Sequence, residues 1–182
     1  VYCTTPGKSS FDERHPLSLG SGSATTTLQA RRWLLASDVL FAVGSSMTRT
    51  KYGQPIPDGK VIIHNVEGVD DINKDFTVDV GLPGDTKLTL QAMIEEIQTQ
   101  IGENGRKGKV EVSAEIAELK TQWLAEWAPV LSSNEVPINP YRVIRDIEST
   151  LDKENSIVTH DAGAPRDMNM PFYTATVPHS YV

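Results

Sequence analysis

Two stretches, VLFAVG at residues 39–44 and VIIHNV at residues 61–66, which opens on three apolar residues, decide the fold of this chain. Each has the length of a β-strand, and apolar runs without alternation are typical of strands buried on both faces of a parallel sheet. The segment FTVDV at residues 76–80 predicts a further strand, and residues 1–5 predict a short one. Because helical patterns lie between and after these runs, the sequence predicts an α/β fold with a doubly wound parallel sheet.

Four helices are predicted around these strands. The first covers residues 24–36, and the second follows Asp85, a good N-cap, with apolar residues at helical spacing up to residue 101. A long third helix is expected over about 111–131. The fourth begins at Asn139, which is followed by proline at the first helical position. Its predicted buried face consists of Val143, Ile144, Ile147 and Leu151.

Changes in pattern along the chain predict its division into parts. Residues 1–101 contain the predicted sheet and form the central nucleotide-fold domain. Residues 102–137 form a helical linker that opens with a small, polar loop at 102–109. Residues 138–182 start again with a helix and a strand at 156–159, so we interpret them as the incomplete beginning of a second domain.

Composition excludes several functional classes. Seventeen Lys+Arg against 24 Asp+Glu give a net charge of −7, which provides no basic surface for nucleic acid or an anionic membrane. The apolar runs are too short to span a bilayer. The single cysteine, Cys3, allows no internal disulfide and excludes the four-cysteine zinc ribbon of a sirtuin-like deacylase. We therefore expect a cytoplasmic protein.

Both ends of the chain lack a polar lead-in. The sequence opens on β-prone residues and closes on HSYV at residues 179–182 without a helix or a tail. Domain termini usually lie in polar, flexible chain. We therefore expect the chain to be a fragment of a longer protein.

Ligands of open parallel sheets bind beyond the carboxyl ends of the strands. After the first strand, Gly44 and Ser45 allow backbone N–H groups to approach a phosphate, and Arg49 supplies positive charge. Glu67, after the second strand, is placed to hold a ribose hydroxyl. The chain has no G-x-G-x-x-G motif, so a tight turn and a solvated glutamate remain the alternative.

The strand predicted at 156–159 leads into Asp161-Ala162-Gly163-Ala164. A strand that runs into Asp-x-Gly produces a sharp turn with exposed N–H groups, which is what a diphosphate requires. No catalytic residue is predicted, because no histidine lies beside a serine or cysteine nucleophile in a known arrangement. No metal site is predicted, because the sequence has no Cys/His cluster at zinc spacing. The four histidines are His15, His64, His160 and His179.

Several stretches together carry a family resemblance. They are TTPGK at 4–8, HPLSLG at 15–20, ASDVLFAVG at 36–44, VIIH at 61–64, GDTKL at 84–88, PYRVI at 140–144 and IVTHDAG at 157–163. In order and spacing they resemble thiamine-diphosphate-dependent enzymes of the acetolactate synthase, pyruvate oxidase and oxalyl-CoA decarboxylase group. The stretches up to residue 88 are similar to that family's Rossmann-like central domain, and the later two to the start of its diphosphate-binding domain.

The resemblance implies a parent enzyme that uses thiamine diphosphate and magnesium to decarboxylate or ligate a 2-keto acid or a related carbonyl compound. It places Asp161, Gly163 and Ala164 beside the diphosphate. The family holds magnesium with a Gly-Asp-Gly and Asn-Asn motif, which is absent from this sequence, and its catalytic glutamate belongs to another domain. The resemblance therefore implies a catalytically incomplete segment whose partners are the missing N- and C-terminal domains, in a homo-oligomer with a small-molecule substrate.

Some members of the family also bind FAD or ADP in the central domain. An arginine there commonly follows the strand-end glycine by two places, and this chain has Ser46 instead. The departure counts against flavin binding, although Arg49 lies close by in the sequence. The alternative from a different class is a free-standing module that binds FAD, NAD or ADP without thiamine chemistry.

Overall fold

The two apolar runs form neighbouring parallel strands, β1 (Val39–Val43) and β2 (Val61–Val66), paired from Val39 opposite Val61 to Val43 opposite Asn65. The computed structural model describes residues 1–22, 25–51, 53–103 and 110–182. A third strand, β3 (Val80–Pro83), pairs in parallel with the second half of β2. The order β1-β2-β3 confirms the predicted α/β class with a parallel sheet.

The third strand lies later than predicted. Residues 76–79 form no strand, and pairing starts only at Val80, opposite Ile63. Phe76 and Val78 instead pack against the core of Ala42, Met47 and Ile62. The apolar character of 76–80 therefore reflects side-chain packing by a loop, and the predicted strand was wrong in its bounds.

Contacts divide the chain into two compact units. Unit 1 comprises Val1–Trp33, Tyr52–Gln54 and Val110–Val182; unit 2 comprises Leu34–Lys51 and Pro55–Lys109. The sheet and its core lie in unit 2. The domain boundaries predicted at 101 and 137 stay a prediction.

Unit 2 also contains the helix that follows the sheet. A short 3-10 helix, Val69–Asp71, precedes β3, and α2 (Thr86–Ile101) follows it. As predicted, Asp85 caps α2: its carboxylate accepts the Leu88 amide at 2.9 Å. Of the loop predicted at 102–109, residues 104–109 lie outside the described part of the chain.

Unit 1 is mainly helical. Its elements are a 3-10 helix at Thr5–Gly7, the start of α1 (Leu28–Ala36), α3 (Val110–Leu131), α4 (Pro140–Thr150) and α5 (Ala164–Asn169). The predicted stripe of α3 is confirmed by Ile116 and Trp123, which are buried. Trp123 stacks on Phe172 with ring centroids 4.7 Å apart. Within the described ranges, no helix is both long and apolar enough to cross a membrane.

Two predicted strands of unit 1 need correction. The strands expected at 1–5 and 156–159 are single bridges, Cys3 to Ser21 and Val158 to Tyr181. Each segment has a bridge partner at one position only, so neither extends into a ladder.

Two helix predictions also need correction. The helix predicted over 24–36 begins at Leu28: residue 24 lies outside the described residues, and residues 25–27 are not helical. The Thr27 hydroxyl, just before the helix, donates to the Leu19 carbonyl at 2.6 Å. In α4, Val143 and Ile147 of the predicted buried face are exposed.

Candidate functional site

The carboxyl ends of β1 and β2 meet at Gly44 and Asn65. The Gly44 amide donates to the Asn65 carbonyl at 2.9 Å, and Gly44 has a φ of +61°, a left-handed conformation that favours glycine. A Cβ on Gly44 would lie 3.7 Å from the Thr86 hydroxyl oxygen, an ordinary contact. The backbone conformation, not lack of space, therefore requires glycine here.

The Asn65 side chain, which is fully buried, fastens this edge of the sheet. Its Nδ2 donates to the carbonyl oxygens of Leu82 at 2.9 Å and Gly84 at 3.2 Å. Its Oδ1 accepts from the Thr86 hydroxyl at 2.8 Å. A single amide thereby connects β2 with the end of β3 and the start of α2. Sequence reasoning missed this role, although a polar residue within an apolar strand signals that it needs buried partners.

The loop after β1 is hydrogen-bonded to His64, whose side chain is also fully buried. His64 Nε2 lies 2.6 Å from the Ser45 carbonyl oxygen, so Nε2 carries the hydrogen of this bond. The Ser45 hydroxyl oxygen accepts the Met47 amide at 3.2 Å. Two N–H groups of this loop, those of Gly44 and Met47, are therefore engaged within the protein.

Arg49 contacts a neighbouring loop. Its amide donates to an Asp75 carboxylate oxygen at 2.7 Å, and its guanidinium lies 4.6 Å from the centroid of the Phe76 ring. These contacts position the loop that carries Gly44 and Ser45. A role of Gly44, Ser45 and Arg49 in binding phosphate stays a prediction.

The second candidate turn, at Asp161 to Ala164, lies in unit 1. Asp161 Oδ1 accepts the amide of the next residue, Ala162, at 2.7 Å. Gly163, with a φ of +91°, precedes α5, and a Cβ added to it would meet no atom within 4 Å. The sharp turn predicted at Asp-x-Gly is present, and its residues are exposed.

We tested whether this turn fits a diphosphate. The space above Gly163 is open, but Arg166, the nearest cation in the sequence, donates to Asp167 at 2.9 Å. Within the described ranges, no group of three or more His, Cys, Asp or Glu side chains is arranged to hold a metal ion. A role of Asp161, Gly163 and Ala164 beside a diphosphate stays a prediction, and these residues alone do not fit the whole cofactor, so we derive no chemical step through it.

A buried ion pair in unit 1 also escaped sequence reasoning. Lys8 and Glu13 lie in a turn-rich loop, where charged residues are usually solvated, yet both are buried. The Glu13 carboxylate also accepts the Ala175 amide at 2.9 Å. Ser21, a second partner of Lys8, donates to the Met170 carbonyl at 2.7 Å. The cluster ties the start of the chain to its last residues.

Known proteins resemble this chain over nearly its whole length. It is 27% identical over 189 residues to "Probable acetolactate synthase large subunit" of Methanococcus aeolicus, covering 99% of this chain and 31% of the relative. The protein of that name from Methanocaldococcus jannaschii is 28% identical over 190 residues, with coverage of 99% and 30%. "Acetolactate synthase isozyme 3 large subunit" of Escherichia coli is 24% identical over 185 residues, with coverage of 100% and 31%.

The chain thus spans about a third of the length of these curated relatives. A family model described as "Thiamine pyrophosphate enzyme, central domain" matches residues 1–93, which is just over half of the 182-residue chain. The matched range contains β1, β2, β3 and the strand-end network of Asn65. The chain therefore belongs to the thiamine pyrophosphate enzymes, whose central domain it carries.

Proposed function

We propose that this chain is a segment of a thiamine-diphosphate- and magnesium-dependent decarboxylase or carboligase that acts on a 2-keto acid or a related carbonyl compound. The family match over residues 1–93 carries this proposal. It is supported by three relatives named as acetolactate synthase large subunits, each aligned over 99% or more of this chain.

The segment supplies one wall of the active site in this proposal. Asp161, Gly163 and Ala164 lie beside the diphosphate, supported by the exposed turn and the open space above Gly163. The magnesium ligands and the catalytic groups belong to other parts of the longer protein, since the Gly-Asp-Gly and Asn-Asn residues used by the family are absent from this sequence.

The other domains are therefore the partners of this segment. We place the parent enzyme in the cytoplasm as a homo-oligomer. The location is supported by the buried, free thiol of Cys3. Association is supported by the exposed apolar side chains of α2, Ile94, Ile97 and Ile101, which need a covering surface.

The test compares this chain with the longer polypeptide that the proposal requires. Both are incubated with pyruvate, thiamine diphosphate and magnesium, and carbon dioxide and acetolactate are measured. We expect turnover by the longer polypeptide only. Turnover by the 182-residue chain above a no-protein control contradicts the proposal that the catalytic groups belong to other parts of the longer protein. No turnover by the longer polypeptide, with pyruvate or other 2-keto acids, contradicts the proposed function.

A pair of glycines tests the role of the turn. Gly163 and Gly59 both have positive φ, +91° and +83°, and open space at the Cβ position. Alanine is strained at both positions because of the positive φ, and Gly163, with a ψ of −145°, lies in a region that is almost confined to glycine. In the longer polypeptide, we expect Gly163→Ala to raise the thiamine diphosphate concentration that gives half-maximal activity and Gly59→Ala to leave it unchanged. Equal effects of both substitutions contradict a role of this turn in binding the diphosphate.

A nucleotide bound at the strand-end edge of unit 2 is the second candidate, and it requires no thiamine chemistry. The observation that favours it is the left-handed Gly44 at the carboxyl end of a parallel strand, where such sheets bind nucleotides. Absorption spectroscopy of the purified chain tests FAD, and calorimetry with ADP and NAD tests the rest. A stoichiometric flavin band or saturable binding supports this candidate. The absence of both contradicts it.

A further inference from the structure

Unit 1 has a partly open cavity of about 220 Å³ that the proposed function does not use. Its wall comes from the loop before α1, from α1 itself, from α3 and α4, and from residues 171–174. Charged, uncharged polar and apolar side chains all contribute to its lining. Each kind limits the chemistry of a ligand.

The charged residues favour an anion. Glu13 and Glu148 line the cavity, but each already has a cation: Lys8 lies 2.8 Å from Glu13, and Lys153 pairs with Glu148. Lys120 and Arg145 also line it, and the described residues give neither of them an ion pair or a hydrogen bond. The charge without a protein partner is therefore positive, on two side chains that are also exposed to solvent, and a guanidinium suits a carboxylate through two parallel hydrogen bonds.

Two buried polar side chains lack partners. Gln29 and Tyr173 line the cavity, and each is 2% exposed. Gln29 Oε1 and the Tyr173 hydroxyl have no hydrogen-bond partner among the described residues. Burial raises the pKa of Tyr173, which keeps its hydroxyl protonated. A ligand hydroxyl group can donate a hydrogen bond to Gln29 Oε1 and accept one from the Tyr173 hydroxyl.

The apolar part of the wall favours a ring of limited size. Trp123 and Phe172 line the cavity beside Leu131, and their rings are nearly parallel, at 13°. The volume of the cavity is smaller than the roughly 300–1,000 Å³ that is typical of pockets for drug-sized ligands. The cavity is therefore suited to one substituted ring and too small for a nucleotide or for thiamine diphosphate.

We propose that this cavity binds a small aromatic hydroxycarboxylate. The carboxylate lies at Arg145 and Lys120, the ring lies against the aromatic wall, and the hydroxyl group lies at Gln29 and Tyr173. The inference is independent of the proposed function, because no residue of the strand-end edge or of the Asp161 turn lines this cavity.

Calorimetry of the 182-residue chain, without thiamine diphosphate or magnesium, tests the site with 4-hydroxybenzoate. We expect saturable binding with one site per chain. Benzoate lacks the hydroxyl and phenol lacks the carboxylate, so each is expected to bind about tenfold more weakly. No saturable binding of 4-hydroxybenzoate, or equal binding of all three probes, overturns the proposal.

A charge variant with a matched control separates binding from folding. Arg145 is exposed on α4, so Arg145→Ala is expected to fold as the parent chain does. It should weaken 4-hydroxybenzoate about tenfold and leave phenol unchanged, because phenol does not use the guanidinium. Arg32, exposed on α1 and outside the cavity, is the control, and Arg32→Ala should change neither probe. Equal effects of the two variants, or none from Arg145→Ala, overturn the proposal.

Discussion

The Lys8 ammonium lies 2.8 Å and 2.9 Å from the two carboxylate oxygens of Glu13, and the Lys8 side chain is fully buried. Removing one member of a buried ion pair leaves the other charge unpaired, which is costlier than removing both. The pair therefore makes a two-step prediction about the stability of unit 1.

Lys8→Met is expected to lower the free energy of unfolding by about 3 kcal/mol, since Glu13 keeps a buried charge. The double variant Lys8→Met with Glu13→Gln should regain much of this loss, because the introduced glutamine is neutral and its amide oxygen can still accept the Ala175 amide. Urea unfolding of both variants measures the difference. A double variant no more stable than Lys8→Met contradicts the account.

A second prediction concerns Asn65. Asn65→Ala leaves the Leu82 and Gly84 carbonyl oxygens and the Thr86 hydroxyl without this partner in a buried place, so we expect a loss of about 2 kcal/mol. Gln98→Ala, at an exposed position of α2, should stay within about 0.5 kcal/mol of the parent. Chemical denaturation with a probe in unit 2 measures both. Equal stability of the two variants argues against a fastening role.

A third prediction separates conformation from space at Gly44. Gly44→Ala places a side chain at φ +61°, which costs about 1 kcal/mol, while its Cβ meets no close contact. Gly68, exposed at φ −80° and also with room for a Cβ, is the control, and Gly68→Ala should change stability by no more than about 0.5 kcal/mol. Thermal unfolding compares the two variants. An equal change in Tm contradicts the view that conformation, and not space, requires glycine at position 44.

A fourth prediction concerns pH. Hydrogen bonds from Arg14 hold the pKa of the exposed Asp12 carboxyl at about 2, below its usual range. Because the folded pKa lies below the unfolded one, the stabilisation is present above the unfolded pKa and is lost as pH falls through about 2. Exposure keeps this contribution small.

Side-chain carboxyl NMR of Asp12 measures this titration directly. Arg14→Gln should bring the pKa of Asp12 back toward its ordinary value, whereas Arg31→Gln, at an exposed position of α1, should not. An Asp12 carboxyl that titrates near pH ~4 in the parent chain is the result that disproves the pairing.

Elements with local signals were predictable from the sequence. The strands Val39–Val43 and Val61–Val66 match the apolar runs, and α2 and α4 begin after the predicted caps, Asp85 and Asn139. Apolar run length and capping depend on residues close together in the chain, so they need no knowledge of the fold. The parallel α/β class followed from the same signals.

Pairing and burial depended on distant residues. β3 lies at Val80–Pro83 because its ladder follows the backbone of Ile63 to Val66, while Phe76 and Val78 pack as a loop. Val143 and Ile147 have the spacing of a buried face, yet what packs against α4 decided their exposure. Periodicity identifies a face but not the surface that covers it.

By itself, the sequence determined the first two strands, the two capped helices and the family that the motifs resemble, since these depend on the order of residues along the chain. Only the tertiary structure decided that the Asn65 side chain connects β2, β3 and α2. It also decided that the Lys8–Glu13 ion pair is buried and that Glu13 accepts the Ala175 amide. Buried polar partners are chosen by proximity in space, because a group removed from water must bond to whatever the fold brings near it.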